Sequence, residues 1–114
     1  MEPYIVSEIF DSGGNTVFRQ EPTVVRRTIK EETSQIMCGL IRSVVTEGTA
    51  KNAAVAGFSI GGKTGTAENR GQDHSVFMGF APMNEPKIAV AVYVENGGYG
   101  AVYGVPIGGL IMEQ

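Results

Sequence analysis

Lys63 stands in the run Gly57–Thr66, GFSIGGKTGT, with glycines at 61, 62 and 65 and hydroxyl residues at 64 and 66. A lysine on so open a backbone can serve two chemistries. Gly57, Gly62, Lys63 and Thr64 satisfy G-x-x-x-x-G-K-[ST], the pattern of a loop whose backbone N–H groups cradle phosphates. Laid out as an extended strand, the same residues would put a positive charge and two hydroxyls along a groove that takes an acyl group.

The phosphate reading requires a helix that starts near Lys63 and Thr64, because the phosphates sit on a helix N-terminus. The next residues are Gly65, Thr66, Ala67, Glu68, Asn69, Arg70 and Gly71, with two glycines and no apolar period. Glu95, after IAVAVYV, imitates a magnesium-binding acid at a strand end. That strand, however, is joined to its neighbour by a short turn, where a nucleotide-binding sheet uses parallel crossovers.

As a strand, each residue has a use. Gly61 and Gly62 let the chain bend and approach closely. Lys63 supplies charge, and Thr64 and Thr66 supply hydroxyls for a polar or anionic group. Gly65 leaves room for a substrate backbone to lie alongside as an added strand. The N–H of Thr66 is a donor for a developing oxyanion.

The elements that must position this run are legible from periodicity. YIVSEIF, the turn DSGGN and TVFRQ read as a hairpin. From Glu31 to Glu47, Ile36, Met37, Leu40, Ile41, Val44 and Val45 recur at helical spacing, and Gly48 supplies a stop. Gly39 weakens that helix, and a close approach by a neighbouring element would account for it. HSVFMGFAP and KIAVAVYVEN read as strands joined by MNEP. The apolar run of the second predicts a strand buried on both faces. The tail predicts a short helix beginning near Tyr103 to Pro106. The sum is an α+β fold: an N-terminal hairpin, one long helix, a three-strand antiparallel meander and a terminal helix.

Composition narrows the function classes. Of 114 residues, 42% are hydrophobic, enough for a packed core, and the net charge of −3 comes with no basic stripe, which argues against nucleic acid. The single cysteine, Cys38, forms no disulfide within the chain and reads as a small core residue. No run reaches the roughly 20 apolar residues of a membrane span. No metal or cofactor is expected. His74 reads as structural at a strand start, Glu68 as a surface acid, Arg26 and Arg27 as a surface pair, and Phe77, Phe80 and Tyr93 as core or near-core.

GGKTGTAE, HSVFMGFAP and PKIAVAVYVEN, in that order, resemble the C-terminal part of a class B penicillin-binding protein transpeptidase domain, in which K-T-G is the third motif. EETSQIMCGLIRSVVTEGTA resembles the helix and Gly-Thr-Ala corner that precede the motif. The resemblance covers nearly the whole chain, and the subgroup expected is the elongation-specific penicillin-binding protein 2 type. It implies a partial β-lactamase/transpeptidase-like fold and a peptidoglycan D,D-transpeptidase working through an acyl-serine, with stem peptides and β-lactams as ligands. Lys63 would aid proton transfer and electrostatics beside the second-motif serine. Thr64, Gly65 and Thr66 would bind substrate, the two hydroxyls taking its carboxylate, and the Thr66 N–H would serve the oxyanion hole. The parent would be anchored in the cytoplasmic membrane with its catalytic domain outside, and the piece itself would be soluble.

None of Ser7, Ser12, Ser34, Ser43, Ser59 or Ser75 begins S-x-x-K or S-x-N, the family's other two motifs. Residues 1–114 therefore read as an incomplete C-terminal part of a transpeptidase domain, inactive alone. Its strand Lys87–Glu95 would lack a neighbour, which predicts self-association through that sheet edge. Two other classes compete: a stand-alone cell-wall peptide-binding or interaction module, and a nucleotide binder built on the phosphate-loop pattern.

Overall fold

The computed structural model describes all residues from Met1 to Gln114, which fall into two units, Met1–Glu31 and Glu32–Gln114. In the first, β1 (Glu8–Phe10) and β2 (Thr16–Arg19) pair antiparallel, with Glu8 opposite Arg19 and Ile9 opposite Phe18. The hairpin expected from Tyr4 is thus present, but its first strand is only the last three residues of that stretch. The turn is organised by Asp11. One carboxylate oxygen accepts from the Gly13 N–H at 2.8 Å and the Asn15 N–H at 2.9 Å, and the other from Asn15 Nδ2 at 3.0 Å. Gly14 takes a φ of 84°, which a side chain would resist. Arg19 pairs with Glu8 across the strands at 2.6 Å. No residue of this unit is buried.

The second unit carries the core. Helix α1 (Glu31–Thr46) ends where Gly48 donates to the Ser43 carbonyl, and a Cβ at Gly48 would meet the Val44 backbone at 2.9 Å. A short 3-10 turn (Lys51–Ala53) comes next, then β3 (Gly61–Ala67), β4 (His74–Ala81) and β5 (Ile88–Val94), ordered β3-β4-β5 with both pairs antiparallel. Helix α2 (Gly104–Glu113) covers one face of β4 and β5.

Phe77 is the centre of this core, fully buried with Val45, Ile60, Val92 and Val105 around it. Glycines make its socket. A Cβ at Gly62 would lie 2.6 Å from the ring and one at Gly79 2.8 Å, and one at Gly108 on α2 would also collide with it. Ser75, the one buried polar residue, ties α2 to the sheet. Its hydroxyl donates to the Tyr99 carbonyl at 3.0 Å and accepts from the Gly104 N–H at 2.9 Å, capping α2 from a neighbouring strand.

Five expectations are corrected. The long helix joins the core only through its last turns: Val45 is buried and Ile41 and Val44 are half-buried, but Ile36, Met37 and Leu40 are exposed. Nothing lies within 4 Å of a Cβ at Gly39, so no close approach explains that glycine, and Cys38 is half-buried rather than core. In β5, Val90, Val92 and Val94 turn toward the core while Ala89, Ala91 and Tyr93 are exposed. An end strand covered on one face cannot be buried on both, whatever its hydropathy. Tyr93 accordingly is 58% exposed, where its strand pattern predicts a near-core residue.

Candidate active site

The site residues predicted from sequence all lie on β3, an end strand with β4 on one side only. The strand runs unbroken from Gly61 through Lys63 and Thr64 to Ala67, and no helix starts from it, which removes the requirement of the phosphate loop. Along β3, side chains alternate between faces. Lys63 stands on one face, and Thr64 and Thr66 together on the other.

Three braces hold the strand. At its start, Arg42 of α1 donates to the Ile60 carbonyl at 2.7 Å, and Ile41 would meet a Cβ at Gly61 at 3.1 Å. In its middle, the hydroxyls of Thr49 and Thr64 are 2.8 Å apart. Toward its end, the Gly100 N–H donates to Thr66 Oγ1 at 3.4 Å, from the loop that leads into α2. Gly100 has no room for a side chain, since a Cβ there would collide with the carbonyls of Gly65 and Val76. Lys63 is exposed, and its Nζ donates to the carbonyl of Thr64 at 2.8 Å.

The lysine and both hydroxyls thus meet on one strand, as expected, and the close approach expected at two of the glycines is made by core side chains. Gly62 admits the Phe77 ring, and Gly61 is crowded by Met83, Ile41 and Phe80. Both are buried packing positions at the head of the site. His74 Nδ1 accepts from the Asn96 N–H at 3.0 Å, and its ring lies against Tyr93, the structural place that its position at a strand start suggested. Glu68 is exposed. Sequence reasoning missed Thr49, Ser75 and Gly100. The Gly-Thr-Ala corner was visible as a unit, but a hydroxyl pairing across 15 residues leaves no local signal.

A family model described as the penicillin-binding protein transpeptidase domain matches residues 1–113. The chain belongs to that family. Stage V sporulation protein D of Bacillus subtilis is 40% identical over 98% of this chain. Penicillin-binding protein A of M. tuberculosis, solved as a ceftriaxone acyl-enzyme complex, superposes with a TM-score of 0.86 at 28% identity over 97% of this chain. Pseudomonas aeruginosa PBP2, solved in complex with WCK 5153, is 38% identical over 81% of it, with a TM-score of 0.68. The type expected from sequence is therefore among the relatives of this transpeptidase-family chain, alongside others that match more of it. The chain spans 19%, 27% and 21% of those three proteins respectively. No helix is long and apolar enough to cross a membrane.

Proposed function

We propose that the chain supplies the K-T-G wall of a peptidoglycan D,D-transpeptidase site, binding the D-alanyl-D-alanine end of a stem peptide along the free edge of β3. The observation that carries this reading is the arrangement on that edge. Lys63 reaches the Thr64 carbonyl at 2.8 Å, which puts this carbonyl on the side away from β4. In an antiparallel strand, groups two residues apart point to the same side. The Thr66 N–H therefore faces the same open edge, free to donate to a substrate carbonyl.

Acyl transfer gives each group a role. The substrate carboxylate accepts from the hydroxyls of Thr64 and Thr66, steadied by the Lys63 charge. When a serine attacks the scissile carbonyl and expels the terminal D-alanine, the negative charge gathering on its oxygen is stabilised by the Thr66 N–H. Donors so placed are worth ~10²–10³ in rate each. That serine is not among these residues, which contain no S-x-x-K. The isolated chain accordingly takes no covalent label from a fluorescent penicillin, and a labelled band at its mass on a denaturing gel would contradict this.

Binding is the direct test. Titrating the ¹⁵N-labelled chain with a pentapeptide ending in D-alanyl-D-alanine is expected to move the amide signals of Lys63–Ala67, and Thr64→Val to weaken the response several-fold. Unmoved signals on β3 at millimolar peptide would sink the reading, as would nucleotide-induced thermal stabilisation without any peptide response.

A further inference from the structure

Beyond β3, the turn between β3 and β4 and the loop between β5 and α2 enclose an open groove of about 500 Å³. Gln72 and Asp73 contribute from the first, Gly98, Tyr99, Val102 and Tyr103 from the second. The two loops are tied together: the Gly98 N–H donates to the Asp73 carbonyl at 2.7 Å, and Asn69 Nδ2 to Asn96 Oδ1 at 3.2 Å. Tyr99 is 72% exposed and Tyr103 51%. Neither ring serves the core, and both belong to the loop whose Gly100 braces Thr66.

From this we propose that the groove is a saccharide subsite that takes the sugar end of the glycan-linked stem peptide. The inference rests on the stem-peptide reading of β3, and the direction of that peptide carries it. With its carboxylate on the Thr64 and Thr66 hydroxyls and its scissile carbonyl on the Thr66 N–H, the peptide runs antiparallel to β3. Its C-terminus lies toward Gly61, and its upstream part passes Ala67 toward the β3–β4 turn. A stem peptide is joined to its sugar at the upstream end. At about 3.3 Å per extended residue, the three residues before the scissile D-alanine cover ~10 Å. The β3–β4 turn begins directly after Ala67, which pairs with His74 at the base of the turn.

The groove's chemistry suits a hexose. Tyrosine offers an apolar ring face together with a hydroxyl, the combination a sugar needs for its C–H face and its rim of hydroxyls. The Gln72 amide and Asp73 carboxylate add an acceptor and donor set beside the rings. Gly98, at a φ of 74°, keeps the floor low, and a side chain there would meet Gln72 Nε2 at 3.3 Å. Asp73 is the only charged residue of the lining, so the site favours neutral N-acetylated sugars over an anionic polymer.

The test compares two ligands on the ¹⁵N-labelled 114-residue chain: the pentapeptide alone, and the same pentapeptide carried on its N-acetylglucosaminyl-N-acetylmuramyl disaccharide. The expected result is several-fold tighter binding of the disaccharide form, with signal changes extending from β3 into Gly71–Asp73 and Gly97–Tyr103. Tyr99→Ala and Tyr103→Ala, both at exposed positions, should remove that gain and leave pentapeptide binding unchanged. Equal affinities, with changes confined to Lys63–Ala67, would overturn the saccharide subsite and leave the β3 reading standing. A gain that survives both tyrosine variants would overturn it too. No change at Lys63–Ala67 with either ligand would overturn the β3 reading and the subsite with it.

Discussion

The two units hold themselves together by opposite means. The unit of residues 1–31 has no fully buried residue, and its hairpin stands on a turn: one carboxylate gathers the N–H groups of Gly13 and Asn15, and one ion pair spans the strands. The second unit closes around a single ring, Phe77, with glycines on β3, β4 and α2 cut away to admit it. The turn of the first is specified by residues within four positions of Asp11, and the socket of the second by residues up to 46 apart, from Gly62 to Gly108. Only the second can hold a binding edge rigidly, because burial fixes a strand where turn chemistry fixes only a reversal.

The sharpest break of this contrast is Phe77→Ala. Emptying a socket built by three glycines should cost the second unit ~3–5 kcal/mol, in the range for buried Phe→Ala changes. Denaturant melts monitored by NMR should show β3–β5 losing their signals early while the hairpin signals keep their own midpoint. If both units melted together, they would not be independent.

Next in size is Ser75→Ala. It leaves the Gly104 N–H at the start of α2 and the Tyr99 carbonyl without their partner, at a cost of ~1–3 kcal/mol for buried groups. It should also loosen the loop that braces Thr66, so hydrogen exchange at Gly100 and Gly104 is expected to quicken more than at Val45. A uniform change across the unit would mean that the hydroxyl only adds stability.

A smaller effect concerns the sheet's ends. β5 presents an unpaired edge with Ala89, Ala91 and Tyr93 exposed on one face. Light scattering should detect concentration-dependent association of the chain, reduced by Ala91→Lys. A strictly monomeric chain at millimolar concentration would show the edge to be inert.

The smallest effect belongs to the hairpin. The side-chain and backbone hydrogen bonds from Asn15 hold the Asp11 carboxyl below its ordinary 3.8. A depressed acid contributes stability that is present above the unfolded value and fades as pH falls through the folded one. Turn signals from Asp11 to Asn15 should therefore hold at pH 5 and broaden below about pH 3.8, and Asp11→Asn should blunt that dependence. Signals from β4 should not track the same curve.

Much of this was readable in the sequence, and what was not shares one cause. Apolar stretches bounded by turn residues gave β4 and β5, helical spacing gave α1 from Glu31, and the order of segments around Lys63-Thr64-Gly65 gave the family. Each of those signals is local or sequential. The glycines at 61 and 62 read as places of close approach, and they are, but nothing near them in sequence announces that Phe77 and Met83 are what approaches. The apolar stripe of α1 and the run of β5 read as burial, since hydropathy records how much a face wants to be covered and not whether a neighbour covers it. The bonds from Thr49 to Thr64 and from Gly100 to Thr66 join distant residues and left no pattern to read.

The central claim is that Thr66 offers its N–H on an open strand edge, and amide exchange at that one residue tests it most directly. In the free chain, the Thr66 amide should exchange faster than that of Gly65, whose N–H faces β4, and it should become protected when a D-alanyl-D-alanine peptide saturates the strand. A Thr66 amide as protected as Gly65 from the outset, and indifferent to the peptide, would contradict the account.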